Sequence, residues 1–223
     1  MCFSTTASFT SGVILTVIGV ACISKTHKRY QLLFACIPFV FAMQQFSEGF
    51  VWLSLSGSTH YLSQKFSTNL FLTFALIVWP LWVPLSMFLM EKTRKRKIIL
   101  GIIAGTGVLF SIGSIYFLIT DSPIAIVANN HIHYDVHVSD TILLIAGTLY
   151  LIPTVVSHFI SSIRLVPFMG FMVLSSHIVS RVFFKDNVLS VWCFFAAIIS
   201  ITIYFIITRS QEPRNENYKL KKT

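Results

Sequence analysis

The sequence contains few charged residues. Only 11% of its 223 residues are Asp, Glu, Lys or Arg, whereas a soluble domain has about 25%. Hydrophobic residues make up 55% of the chain, and the mean hydropathy is +0.76. These proportions exclude a soluble enzyme and a disordered chain, and they predict an integral membrane protein.

Paired cysteines and familiar catalytic motifs are also missing. The four cysteines form no CxxC pair, so no disulfide framework is predicted. Neither an HExxH motif nor a recognisable nucleophile–base pair indicates a hydrolase. The sequence therefore identifies no catalytic residue, and it leaves open whether the protein is an enzyme.

Seven long apolar runs are present, and each is long enough to cross a bilayer as a helix. Such runs exclude a membrane β-barrel, whose strands alternate over about ten residues. We therefore predict an all-α integral membrane protein with seven transmembrane helices. The predicted spans are 8–24, 31–55, 68–90, 98–119, 141–163, 165–184 and 188–208.

The basic residues lie almost entirely on one side of these spans. Fourteen of the seventeen Lys and Arg fall at 25–29, 92–97, 164 and 209–223. Because cytoplasmic loops carry an excess of Lys and Arg, the N-terminus is predicted outside and the C-terminus in the cytoplasm. We expect a multi-pass protein of the bacterial inner membrane. Its net charge of +9 then faces anionic lipid, and no nucleic acid partner is expected.

Spans two and six are weakly similar to each other. An offset of 133 aligns 31–52 with 164–185, with four identical positions. The same offset places Gln44 on His177 and Glu48 on Arg181. We interpret this similarity as a parallel repeat of three helices, a linker helix and three more helices.

The predicted repeat divides one transmembrane domain, 1–208, into three parts. Residues 8–90 form the first three-helix repeat, 98–119 the linker helix and 141–208 the second repeat. Residues 209–223 form a basic cytoplasmic tail. The linker helix carries Gly101, Gly105 and Gly107, a small-residue face suited to close helix packing.

This layout resembles that of the SWEET and PQ-loop transporters, although no span contains their Pro-Gln pair. At the level of sequence, Met1-Cys2-Phe3-Ser4, the stretch 44–52 and Trp192-Cys193 resemble an uncharacterised family of bacterial seven-span membrane proteins. That resemblance implies a fold and a location but no chemistry.

Polar side chains in spans two and six are candidate ligands for a small solute. Ionisable residues inside a membrane are costly unless they are paired, so they indicate function. We expect one outward-facing cavity between helices 2 and 6 that binds or translocates a small polar or anionic solute. The alternative is a Glu48–Arg181 ion pair that only joins two helices. The candidate ligands are Gln44, Gln45, Glu48, Ser176, His177 and Arg181.

The loop between spans four and five, 121–140, contains no Lys or Arg. Asn129-Asn130 predicts a turn, and the flanking segments predict a short extracellular β-hairpin. Alternate side chains of a strand share a face, so the apolar face is predicted to cap the bundle with Ile132, Tyr134, Val136 and Val138. The opposite face carries His131, His133, Asp135 and His137.

The polar face of this hairpin has the residue types that bind Zn²⁺ or Cu²⁺. Successive side chains on one face are about 7 Å apart, so at most two neighbours share an ion, with His60 or Cys2 as further ligands. The alternatives are a solvated face of a half-buried strand and a pH-sensing role for the histidines.

Three functions follow from these patterns. The first is solute binding or transport. The second is a membrane-embedded metal-dependent enzyme that uses the extracellular histidines. The third is a sensor or a partner subunit of a membrane complex, because the tail is too short to be an output domain. Membrane lipid and a second copy of the chain are further expected partners.

Overall fold

Helices form nearly all of the structure. The computed structural model describes residues 4–57, 61–128, 131–183 and 188–211. Two antiparallel strands, β1 (Ile124–Ala128) and β2 (His131–Asp135), interrupt the helices. The helices are α1 (Thr5–Ser24), α2 (Leu32–Ala35), α3 (Ile37–Leu55), α4 (Tyr61–Thr73), α5 (Trp79–Met90), α6 (Arg94–Asp121), α7 (Asp140–Leu151), α8 (Ser157–Ile160), α9 (Val166–Phe183) and α10 (Val188–Gln211).

Six segments are long and apolar enough to cross a membrane, so the prediction of a helical membrane protein is confirmed at that level. A seventh helix, α10, has 24 residues. Large apolar side chains also cover the outside of the bundle, as on α6, where Leu109 is 71% exposed. The six segments are Thr5–Ser24, Arg29–Leu55, Ser63–Met90, Arg94–Asp121, Thr141–Ile160 and Val166–Phe183.

Proline interrupts the second segment. Helix α2 ends at Ala35 and α3 begins at Ile37, because Pro38 has no N–H to continue the helical hydrogen bonds. The indole Nε1 of Trp82 donates to the carbonyl oxygen of Leu33 at 2.9 Å. This side chain thus satisfies a backbone carbonyl close to the break.

The third and fifth segments each contain a π-helical turn, at Phe74–Val78 and Ile152–Val156. Both lie beside or across a proline, Pro80 and Pro153. In the third segment, the carbonyl oxygen of Ile77 accepts a hydrogen bond from the hydroxyl of Ser111 in α6 at 3.1 Å. The predicted repeat pairs the fifth segment with the first and not with the third. The two π turns therefore lie in segments that are not equivalent in the repeat.

The hairpin caps one end of the bundle, as its alternation predicts. Ile132 is 0% exposed and Tyr134 is 8% exposed. The ring of Tyr134 stacks on Phe71, with centroids 5.0 Å apart and an angle of 8°. Gln64 donates to the carbonyl of Ala125 at 2.9 Å. The predicted turn at 129–130 lies outside the described residues, as do Cys2, His60 and the tail from 212 onward.

At the opposite end, Glu91 joins the third segment to the connection between the fifth and sixth. Its carboxylate accepts hydrogen bonds from Ser162 N at 2.7 Å and Ser162 Oγ at 2.8 Å. The backbone N–H groups of Lys92 and Thr93 also donate to it, at 2.9 and 2.8 Å. The fifth segment ends at Ile160, earlier than the predicted 163. It ends there because the backbone of Ser161 is extended.

The pKa of Glu91 lies below its ordinary value of 4.5. Burial of the carboxyl raises its pKa, but hydrogen bonds from Thr93 and Ser162 to the charged form outweigh burial and lower it. A depressed pKa means that this group stabilises the folded state above pH 4.5, and that the contribution disappears as the pH falls through the folded pKa.

The close packing expected for the linker helix occurs at Gly107. A Cβ atom on Gly107 would collide with the carbonyl oxygen of Pro80. Gly105 has nothing within 4 Å of the equivalent position, and Gly101 meets only the ring of Phe88 at 3.5 Å. Of these three positions, Gly107 is therefore the one at which close packing requires a glycine. It lies beside the π turn of the third segment.

Gly107→Ala is expected to destabilise the protein by about 1 to 3 kcal/mol, because a backbone atom blocks the added methyl group. Gly105→Ala is the matched control, and its melting temperature should stay unchanged or rise slightly. Thermal unfolding of the detergent-solubilised variants measures both effects. Equal melting temperatures would show that α6 does not pack on Pro80 as described.

Glu91→Gln is expected to cost about 2 kcal/mol at pH 7, because the N–H donors of Lys92, Thr93 and Ser162 lose a charged acceptor. Ser162→Ala removes only the hydroxyl donor and should cost about 1 kcal/mol. The difference between wild type and Glu91→Gln should narrow as the pH falls below 4.5. Unfolding free energies measured across that pH range provide the test, and a difference independent of pH would contradict it.

Candidate functional site

A cavity of about 430 Å³ lies beneath the hairpin. Residues of β2, α7, α9 and α10 line it, and we call it the hairpin cavity. Tyr150, Trp192 and Phe110 contribute aromatic walls. The polar and ionisable side chains that reach it are His133, Asp135, His177 and Arg181.

The local structure of β2 and α9 places these four residues. In β2, the burial of Ile132 and Tyr134 against the bundle leaves His133 half-buried and Asp135 exposed. In α9, His177 and Arg181 are four residues apart, so they lie on one face of the helix. Arg181 belongs to the last turn of α9, where the helix dipole favours a cation.

Two groups that line the cavity, the guanidinium of Arg181 and Nδ1 of His177, have no ion pair or hydrogen bond among the described residues. Within the described residues, Arg181 forms no ion pair, although the carboxylate of Asp135 lines the same space. Nδ1 of His177 is buried and has no hydrogen-bond partner in that part of the chain. Its ring packs against Trp192, with centroids 4.9 Å apart. The arrangement places a guanidinium beside imidazole and aromatic surfaces.

A second, smaller cavity of about 70 Å³ lies deeper in the bundle. We call it the inner cavity. Its polar lining residues are Gln44, Thr154 and His158. Oε1 of Gln44 accepts a hydrogen bond from the indole of Trp79 at 2.6 Å.

Two aromatic residues belong to both cavities. Tyr150 and Trp192 line each of them, and their rings meet edge to face with centroids 5.8 Å apart. Nε1 of Trp192 donates to Oγ of Ser176 at 2.8 Å, which holds the indole in place. The Tyr150–Trp192 pair therefore lies between the hairpin cavity and the inner cavity.

The structure divides the six predicted solute ligands. Helix α10 packs against both α3 and α9, and residues of both spans, among them Gln44 and Met169, line the inner cavity. His177 and Arg181 line the hairpin cavity, and Gln44 lines the inner cavity.

The other three predicted ligands line neither of these two cavities. Ser176 is buried and holds the indole of Trp192. Glu48 is 0% exposed, and one of its oxygens lies 3.3 Å from Nε2 of Gln45. A role in solute binding for all six stays a prediction.

The four predicted metal ligands are also separated. His133 and Asp135 line the hairpin cavity, and His131 is buried. His137 lies beyond the end of β2, where its Nδ1 is 3.6 Å from Oδ1 of Asp121. Among the described residues, no group of three or more His, Cys, Asp or Glu could hold a metal ion. Metal binding by Zn or Cu, and the enzyme that it implied, stay predictions.

The sequence patterns single out Trp192 only within the Trp192-Cys193 resemblance, and they do not single out Tyr150. Neither residue type signals a partition between two cavities, since a membrane helix normally contains several aromatic residues. Glu91 was also overlooked. The signal that identifies it is a single acidic residue in a loop otherwise rich in Lys and Arg.

The chain matches the model of a known protein family. The model of a family of unknown function, DUF6629, matches residues 1–218. No curated protein shows significant similarity to the chain.

Proposed function

We propose that this chain, which belongs to the DUF6629 family of unknown function, is a membrane protein that binds a small anionic solute in the hairpin cavity. One observation carries the proposal. Arg181 lines this cavity and forms no ion pair within the described part of the chain. Arg181 is exposed in the last turn of α9, so its guanidinium is accessible to an anion that enters the cavity.

The other lining groups fit a ligand of this kind. A guanidinium binds a carboxylate or phosphate through two parallel hydrogen bonds. Nδ1 of His177 and the ring of His133 offer hydrogen bonds to the same ligand, and Trp192 covers its apolar part. A volume of about 430 Å³ falls in the range of pockets that hold small molecules, about 300 to 1,000 Å³.

Asp135 restricts the choice of ligand. Its carboxylate lines the same cavity and disfavours ligands with more than one negative charge. It also accepts hydrogen bonds from an ammonium or hydroxyl group. The cavity therefore favours monoanions and small zwitterions over phosphate or dicarboxylates.

The proposed topology places this cavity on the outer face of the membrane. Helix α10 is taken as a seventh crossing, with its C-terminal end on the basic side. The loops that follow α1, α5 and α8 contain Lys25, Lys92 and Arg164 among other basic residues. The positive-inside rule assigns these loops to the cytoplasm, so the hairpin, between α6 and α7, lies outside together with the N-terminus.

Binding can be measured with purified protein in lipid nanodiscs. Acetate, lactate, glycine and phosphate are the probes, with tryptophan fluorescence and thermal shift as readouts. Arg181→Ala is expected to weaken the binding of monoanions at least tenfold, which corresponds to the loss of about 1.4 kcal/mol. Arg181→Lys should retain part of the affinity, because it keeps the charge but loses the planar fork.

Arg164→Ala is the matched control, because Arg164 lies in an exposed connection away from the cavity. Its affinity for every probe should equal that of wild type. Equal affinities for wild type and Arg181→Ala would contradict the proposal. Uptake of the bound probe into vesicles, measured with the same variants, separates binding from translocation.

A further inference from the structure

The inner cavity contains a buried hydrogen-bond acceptor that no described residue satisfies. His158 lines this cavity and is 1% exposed. Its Nδ1 lies 3.3 Å from the carbonyl oxygen of Val155. Because a carbonyl can only accept, Nδ1 must carry the proton, and Nε2 of the neutral ring is then an acceptor. Nε2 is buried and has no hydrogen-bond partner in the described part of the chain.

The lining of the inner cavity determines what can satisfy this acceptor. None of the described residues that line it is charged, so an ion would be unpaired there. A water molecule needs at least about 10 to 15 Å³ of such space and two or more polar partners. The cavity has about 70 Å³, and Gln44, Thr154 and Tyr150 also contribute polar atoms. Size and chemistry therefore suit water and neutral hydrogen-bond donors of similar size.

The position of the inner cavity connects it to the hairpin cavity. Tyr150 and Trp192 line both, and they are the described residues that the two linings share. Beyond them, the inner cavity extends to His158 in α8, close to the end of the bundle where Glu91 binds Ser162. The two cavities together extend along most of the bundle, with an edge-to-face aromatic pair between them.

We propose that the inner cavity is a hydrated site in which Nε2 of His158 accepts a hydrogen bond from water, and that the Tyr150–Trp192 pair gates its exchange with the hairpin cavity. This inference goes beyond the proposed binding of an anion at Arg181 and does not depend on it. It assigns to His158 the role of a ligand for water or a small neutral donor. In this proposal Trp192 controls access to the inner cavity, and Ser176 holds its indole in place.

Cysteine accessibility tests the hydration of the inner cavity. The four native cysteines are first replaced by serine or alanine, and Thr154→Cys then reports on the cavity in the full chain in lipid vesicles. The probe is methyl methanethiosulfonate, a small neutral reagent that reacts with the thiolate and therefore needs water at the sulfur. Met87→Cys is the matched control, because Met87 is 0% exposed in the same core and lines neither cavity.

Thr154→Cys is expected to react at least tenfold faster than Met87→Cys. Adding His158→Phe, which keeps a ring but removes the acceptor, should lower the Thr154→Cys rate at least tenfold. Equal rates for Thr154→Cys and Met87→Cys, or a Thr154→Cys rate unaffected by His158→Phe, would overturn hydration of the cavity. Unchanged elution of each variant in size-exclusion chromatography confirms that it is folded.

The gate is tested with Trp192→Ala in the same background. Removing the indole should raise the Thr154→Cys rate several-fold and leave Met87→Cys unreactive. No change in the Thr154→Cys rate would overturn the assignment of the gate. Arg181→Ala should leave this neutral reaction unchanged, so a failure of the proposed anion site is distinguishable from a failure of this inference.

Discussion

Backbone polar groups inside a membrane cannot hydrogen-bond to water, and the rest of this structure follows from that constraint. Continuous helices satisfy it along most of the chain. Prolines interrupt the helices, and side chains from neighbouring segments donate hydrogen bonds to carbonyls close to two of the interruptions. Trp82 donates to the carbonyl of Leu33 close to the first break, and Ser111 donates to the carbonyl of Ile77 in the first π turn. These contacts join segments that are distant in sequence.

The same breaks determine where polar groups collect in the interior. Trp79 follows the first π turn and Thr154 lies within the second. Both line the inner cavity, with His158 one turn beyond. Irregular helix geometry leaves small gaps between segments, and these gaps contain the hydrogen-bonding groups that the helices do not use. Thus the features that interrupt the helices also create the space in which a small molecule can be held.

Particular residues show how far sequence patterns extend. The alternation of Ile132 and Tyr134 with polar neighbours correctly predicted which face of β2 packs on the bundle, because a strand has a fixed period of two. The glycine stripe correctly pointed to close packing of α6. It did not show that Gly107 alone requires a glycine, because that depends on the carbonyl of Pro80, which lies in another segment.

Local sequence patterns specify the class of protein and the geometry of its individual elements. Long apolar runs specify membrane helices, and spacings of two and four residues place side chains on one face of a strand or helix. Which faces of these elements meet depends on tertiary packing. His177 and Arg181 share a cavity with His133 and Asp135 rather than with Glu48. Helix α10 packs against both α3 and α9, and the hairpin folds over the end of the bundle. Such contacts depend on the packing of residues far apart in the chain, which no local periodicity encodes.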